Sequence, residues 1–377
     1  MSNRILKTVM KELHDKKKPL PDDPKTVVRT EFSGGRHMCE VWFMTKGCVH
    51  DKDGGCTMCN YGKSLLVEDD VILSELKSCF ATLPYERYDL LINPSGSFLD
   101  DKEVAPELRQ GIYALMKNLH FETLTVECRA DVVNPAVLEG FKNVFPTNEL
   151  YVEIGVESLD PWLLRNSINK GLMVENIVNA LRMLQAYSIK SIANIGMGLP
   201  FINERYNIST AWRSVVQALD MGFDQVIVFP YHIKPGTLLE VLRKQSFYAC
   251  CSLWSLVELL NMLTDAERER VNISWYRNYY TDKSKIIESP TTCPLCNNSM
   301  LSLLDGYKMT PGRDSLKQIL SIDCACRDIW KQKIKSVPDC IDLDAVSGIY
   351  TALVDMFHID ANTFHAEMET MGCHVNH

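Results

Sequence analysis

An α/β fold in which short parallel strands alternate with helices, a full or partial (β/α) barrel, is what this 377-residue sequence predicts. Three observations predict it. Six short runs rich in Val, Ile and Leu each close on Gly, Pro or polar residues. Helix-like segments lie between those runs. No internal repeat or low-complexity tract interrupts the alternation.

The strands are expected at residues 39–45 (CEVWFMT), 88–93 (YDLLIN), 123–128 (TLTVEC), 150–158 (LYVEIGVES), 191–200 (SIANIGMGLP) and 225–231 (QVIVFPY). Between the last strands, Val174, Ile177, Val178, Leu181 and Leu184 recur at helical spacing and make one apolar face. Ligands of parallel α/β folds sit at the carboxyl ends of the strands. The features at those ends are Cys48, Cys56 and Cys59, the SGS turn, Glu127 with Arg129, Glu157, and the glycines after Ile195. They are expected to meet at one mouth. After about residue 245 the texture changes. LWSLVELLNML puts Leu253, Leu256, Val257, Leu260 and Leu263 on one helix face, and TTCPLC and CAC follow. The expected division is an N-terminal extension over 1–38, a core over 39–245 and a C-terminal region over 246–377.

Composition narrows the class. Hydrophobic residues are 46% and charged residues 23%, ordinary values for a globular enzyme. No apolar run approaches the roughly 20 residues of a membrane span. The opening MSNRILKTVMKELHDKKK lacks the apolar core of a signal peptide. A cytoplasmic protein without membrane attachment is expected. Fourteen cysteines are then more than packing needs, in the wrong compartment for a disulfide framework, so several are expected to bind metal. The net charge of −8 counts against a dedicated nucleic-acid protein. Residues 1–38 nevertheless carry nine Lys/Arg against five Asp/Glu, whereas residues 291–377 carry seven against eleven.

TKGCVHDKDGGCTMCNYG gathers Cys48, Cys56 and Cys59 in one loop. Three thiolates can hold three irons of a [4Fe–4S] cluster and leave the fourth iron open. Full cysteine ligation makes an electron carrier. The alternatives are a zinc site completed by His50 or a distant residue, and a redox pair at Cys56 and Cys59. Cys293, Cys296, Cys324 and Cys326 form C-x2-C and C-x-C pairs, which suit a tetrahedral structural zinc or a second cluster. The adjacent Cys250 and Cys251 are either ligands for a soft, thiophilic substrate or two small apolar residues at a helix start.

The wider pattern resembles the radical S-adenosylmethionine (SAM) superfamily, which carries a three-cysteine loop after the first strand of its barrel. Its usual spacing is C-x3-C-x2-C. Here it is C-x7-C-x2-C, and Met58 stands where an aromatic residue is usual, with Tyr61 just beyond. INPSGSFLDD sits where the superfamily places its turn for the SAM amino group, and EIGVES with SINKG, NIGMGLPFINE and KPGTLLEVL are similar to the Elongator-catalytic-subunit branch. TKGC, NPSGSFLDD, IGVES with SINKG, LWSLVELL and the terminal cysteine pairs are similar to the radical-SAM subunit of archaeosine synthase. The resemblance covers roughly residues 30–335 and implies a partial (β/α)6 TIM-like barrel with a small C-terminal metal-binding region.

The same resemblance implies the chemistry. Cys48, Cys56 and Cys59 hold the cluster, and the open iron chelates the amino and carboxylate groups of SAM. One electron splits the sulfonium, usually into methionine and a 5′-deoxyadenosyl radical that takes hydrogen from a substrate. Ser95, Gly96 and Ser97 then approach the SAM amino group. Glu157 reaches the ribose, Lys170 the carboxylate, and Asn194 and Gly196 flank the adenosine with Met58 and Tyr61. A flavodoxin or ferredoxin would supply the electron. Apolar strands around the mouth would protect the radical. The implied substrate is a lysine adduct of 7-deazaguanine in tRNA, met with a transglycosylase-like partner, with RDIWKQKIK and the basic N-terminus on phosphates. The alternative is a small metabolite, with part of SAM passed to a soft acceptor.

Overall fold

The computed structural model describes residues 2–16, 26–33, 36–61, 67–83, 87–279 and 285–373. One eight-stranded sheet runs through it: β1 (Thr26–Ser33), β2 (Arg36–Phe43), β3 (Tyr88–Pro94), β4 (Phe121–Cys128), β5 (Glu149–Glu157), β6 (Lys190–Met197), β7 (Gln225–Pro230) and β8 (Val271–Ile273). The strands lie in sequence order. β1 is antiparallel to β2, and every later neighbour is parallel. The order runs from β1 to β8 without closing, so the barrel is partial.

The six expected strands are β2 to β7, each within a few residues of its expected ends. Two further strands flank them. β1 carries Arg29 and Glu31 among its apolar residues and reads as part of a charged N-terminal segment. β8 is only three residues long, below the length that gives a periodic signal. Both owe their form to pairing with a neighbour rather than to local preference.

Helices Asp69–Phe80, Pro106–Met116, Pro135–Val144, Val174–Ala186 and Glu204–Met221 cover the outer face. On Val174–Ala186 the expected stripe is buried at Ile177, Leu181 and Leu184, with Ala180 added and Val178 half-buried. Truncating Leu184 to Ala would cost about 2–5 kcal/mol, because it is fully buried. Glu204–Met221 starts on the Asn203 side chain, which accepts from the Tyr206 N–H at 3.0 Å.

Helix Leu253–Met262 buries four of the five expected residues and also Trp254, and the fifth, Leu263, is buried just past its end. Its apolar surface exceeds one stripe because Glu204–Met221 and Arg313–Leu320 pack on it from two sides. The cysteine-bearing segment shares the barrel's core through Cys296, Met300, Leu304 and Trp330. A second cluster joins the N-terminal helix Arg4–Lys16 to the last helices, Leu343–Met356 and Ala361–Met371, through Ile5, Leu6, Val9, Tyr350 and Met368. No described helix is long and apolar enough to cross a membrane.

Candidate active site

The cysteine loop leaves the carboxyl end of β2. Cys48 precedes the short helix Val49–Lys52, and Cys56 and Cys59 close a turn through a 3.1 Å bond from the Cys59 N–H to the Cys56 carbonyl. The long insert is braced rather than loose. Gly54 has φ +91°, and a Cβ there would lie 2.4 Å from the Lys7 carbonyl oxygen. Asp53 pairs with Lys7 at 2.6 Å. The SINKG segment grips the loop as well: the Asn169 amide donates to the Gly54 and Gly55 carbonyls at 2.7 and 2.9 Å, and Thr57 donates to the Ile168 and Ser167 carbonyls.

All three thiols line one cavity of about 400 Å3 at the barrel mouth. Burial pushes each thiol up, Cys59 to about 12, with Glu103 adding its charge at Cys48. Left alone such thiols stay protonated; a bound cation is what would make them thiolates. His50 does not line the cavity. Its Nε2 lies 2.8 Å from the Asn169 carbonyl, and burial lowers its pKa to about 4.

Gly96 and Ser97 line the cavity, whereas Ser95 does not. The Ser95 hydroxyl accepts from the Thr45 N–H at 2.9 Å, which ties the ends of β2 and β3 together. Glu103 carries no sequence signal, yet it is 1% exposed. It accepts from the N–H groups of Val49, at 2.7 Å, and Ser97, and so joins the cysteine loop to the SGS turn. Arg129 lines the cavity after β4 and donates to the Lys170 carbonyl at 3.1 Å.

Glu157 and Lys170 come together as an ion pair of 3.0 Å, both buried. Burial works most strongly against the Lys170 ammonium, but the Glu157 charge and hydrogen bond, together with the charge of Cys56, offset it and its pKa rises. The Tyr231 hydroxyl donates to the other Glu157 oxygen at 2.9 Å. Glu157 itself adopts φ 65°, unusual for a residue with a long side chain. A Cβ on Gly196 would stand 2.5 Å from the Tyr231 hydroxyl oxygen. Gly196 therefore makes room for the ring that holds Glu157.

Met58, Tyr61 and Asn194 line the same cavity, with Lys234 stacked 5.2 Å over the Tyr61 ring. The barrel interior is mixed. Strand residues such as Leu124 and Val126 are buried outside the cavity. Their alternates line it, where Leu91, Ile192, Ile227 and Phe229 stand among Glu40, Asn93, Thr125, Glu127, Glu153 and Asn194. An apolar run read without its pleat hides that inner face.

Cys250 and Cys251 do not reach this cavity. They line a second one of about 280 Å3, with Glu204, Trp330, Lys333 and Cys326. Burial pushes Cys250 to about 12 and raises Cys251 too. The four C-terminal cysteines do converge, with all Sγ atoms within 4.8 Å of one another and pairs at 3.5 to 3.7 Å. Trp254 donates its indole N–H to Cys326 at 3.3 Å.

A three-thiol loop lies at the carboxyl mouth of an open parallel barrel, over a cavity of small-molecule size, as the resemblance to radical SAM enzymes implies. The chain is similar to archaeosine synthase subunit beta. With the protein of that name from Methanosarcina acetivorans it shares 26% identity over 303 residues, 78% of this chain and 84% of the other. With that from Thermococcus kodakarensis it shares 26% over 306 residues, 78% and 90% of the two chains. Among solved structures, the archaeal Elp3 of Methanocaldococcus infernus with an N-terminal deletion overlaps at 14% identity with a TM-score of 0.45. That overlap covers 63% of this chain and 59% of the other. No family model matches.

Proposed function

We propose that this chain cleaves SAM at a [4Fe–4S] cluster on Cys48, Cys56 and Cys59, and so breaks a C–N bond in a lysine adduct of 7-deazaguanine in tRNA, as in archaeosine formation. The observation that carries the reading is the shared cavity: the three thiols, the Gly96–Ser97 turn and the Glu157–Lys170 pair all face one space. The similarity to archaeosine synthase subunit beta supports the substrate. The thiol set fits the group. Three soft donors line one cavity wall without closing to within 4.8 Å of one another, a spread that a four-iron cluster can bridge and a single metal ion cannot.

The bound cluster supplies an electron to the SAM sulfonium; a flavodoxin or ferredoxin would deliver it. The chain's own residues bind and orient. Ser97 and Gly96 offer backbone at the SAM amino group. Lys170 and Arg129 give the carboxylate two cations, and Glu157 turns acceptor oxygens to the ribose. Met58, Tyr61 and Asn194 flank the base, with Gly196 behind Tyr231. This work lies in residues 39–245, flanked by the extension and the C-terminal region.

For Cys293, Cys296, Cys324 and Cys326 we propose one structural zinc. A tetrahedron with Zn–S bonds of about 2.3 Å has edges of about 3.8 Å, close to the 3.5 to 3.7 Å found. In a cluster each thiolate holds a different iron, which spreads the sulfurs wider. The small-metabolite reading drew on the acidic charge balance and on Cys250 and Cys251; the cysteine pair lies outside the main cavity, so one reading is carried forward. Among the described residues of the basic N-terminus, Arg4, Lys7 and Lys16 are engaged in ion pairs with Glu367, Asp53 and Glu12. Phosphate contacts then fall mainly to Lys331 and Lys335 and to a tRNA-binding partner.

Anaerobic incubation with SAM and dithionite tests the chemistry. We expect 5′-deoxyadenosine, lost together with the cluster iron in Cys48→Ala. Neither 5′-deoxyadenosine nor methylthioadenosine, with iron content unchanged in the variant, would refute it. Salt-sensitive retention on tRNA, alone or with the partner, tests the substrate.

A further inference from the structure

Midway down the barrel lies a belt rich in hydrogen-bond acceptors. Glu127 on β4 and Glu153 on β5 are direct neighbours in register. Both line the main cavity, and among the described residues neither has an ion-pair partner. The only side-chain bond either makes there is from the Asn194 amide to Glu153, at 2.6 Å. Glu40 on β2 differs, because Arg29 across the β1–β2 ladder neutralises it at 3.2 Å.

Two asparagines complete the belt. Asn93 gives its NH2 group to Glu40 at 3.2 Å, as Asn194 gives its own to Glu153. In each, the amide oxygen Oδ1 is buried with no partner. Asn93 and Glu153 are each only 7% exposed. A buried carbonyl oxygen without a donor costs about 1–3 kcal/mol, and adjacent buried carboxylates cost more. Burial, then the neighbouring carboxylates, pushes Glu127 well above the usual carboxylate range. Such an arrangement persists where a ligand supplies what is missing, here hydrogen-bond donors and positive charge.

We propose that Glu127 and Glu153, with the amide oxygens of Asn93 and Asn194, bind an alkylammonium group of the substrate. A bare metal ion fits less well. It needs several oxygens within one small shell, and Glu40, Glu127 and Glu153 do not bring three carboxylate oxygens within 4.8 Å of one another. An ammonium carries three donors on a flexible stem and can reach acceptors that lie further apart. The position suits a substrate tip that passes the cysteine loop and ends below it, since Glu153 lies four residues before the end of β5. The inference rests on the proposed function only in taking this cavity as the substrate site.

The test is binding, measured apart from turnover. Cluster-reconstituted protein with SAM is titrated with n-pentylamine, with neutral n-pentanol, and with magnesium or calcium chloride. Wild type should bind the amine at least tenfold more tightly than the alcohol. Glu127→Gln and Glu153→Gln should each weaken the amine at least tenfold and leave the alcohol unchanged. Glutamine keeps the side-chain shape, and at position 153 its Oε1 can still accept from Asn194. Circular dichroism and melting of both variants confirm folding. Equal binding of amine and alcohol, or variants that keep the amine, overturns the proposal. So does displacement of the amine by either divalent ion at micromolar concentration. SAM cleavage in wild type is scored separately. Its absence with amine binding intact would sink the radical SAM reading alone, and cleavage without amine binding would sink this one alone.

Discussion

Lys170→Met removes one partner of the ion pair beneath the proposed SAM site. Both side chains are 7% exposed and their charged atoms lie 3.0 Å apart. At an effective dielectric of about 20 that separation is worth about 5 kcal/mol of attraction. Methionine fills most of the lysine's volume, so the loss is electrical rather than a cavity. It leaves Glu157 buried with the Tyr231 hydroxyl as its remaining close donor. Breaking a buried pair from one side costs about 3–5 kcal/mol, and we expect a loss near 3 kcal/mol. Guanidinium unfolding followed by near-UV circular dichroism reads it as a lower midpoint with an unchanged slope. The double variant Glu157→Gln/Lys170→Met lacks the stranded charge and should recover at least half of the loss. The coupling from the full cycle is expected at about 2–3 kcal/mol. A single-variant loss below about 1 kcal/mol, or no recovery in the double variant, would mean that the pair is solvated and the reasoning is wrong.

Gly196→Ala should lose about 1–3 kcal/mol by overpacking and weaken SAM binding; Tyr231→Phe in that background should recover little, because ring carbons also lie 2.7 Å from the new Cβ. Unchanged stability would show that the ring can move. Burial, countered by the Asn194 bond and helped by the Glu40 charge, pushes Glu153 from 4.5 up to about 7. Between those values the folded chain holds a proton that the unfolded chain has lost, so this group's effect is to lower stability as pH rises. Melting from pH 5 to 8 should therefore fall more steeply in wild type than in Glu153→Gln, and parallel curves would refute the assignment. Cys296→Ser should remove about one zinc per chain, measured by plasma emission, and leave the iron content intact. Loss of iron instead would place a second cluster there.

Much of the catalytic end was legible because its signals are local. The cysteine spacing, the SGS turn, Glu157 and Lys170 each sit at the end of a recognisable strand or in a short motif. The structure brings nearly all of them to one cavity. Ser95 is the exception, drawn aside by Thr45. Glu103 was not legible, since one glutamate in NPSGSFLDDKEV looks like any surface charge. It matters only because the loop from 48 folds back over it. Glu40, Asn93 and Glu153 were hidden for another reason: each is a single polar residue inside a run that scores as apolar, and the pleat decides which way it points. Cys250 and Cys251 show the converse, a conspicuous pair that tertiary contacts carry to a different cavity.

The sequence by itself determined the alternation of β2 to β7 with helices, the three-thiol loop and the paired C-terminal cysteines. Those depend on periodicity and spacing, which are properties of neighbours along the chain. Tertiary structure decided the rest. It added β1 and β8 at the sheet edges, made an ion pair of two residues 13 apart, and drew four thiols from two segments about 30 residues apart to within 4.8 Å of one another. It also lined the barrel with Glu127 and Glu153, which among the described residues have no ion-pair partner. These depend on which groups meet across strands, and that is fixed by sheet register and helix packing rather than by local preference.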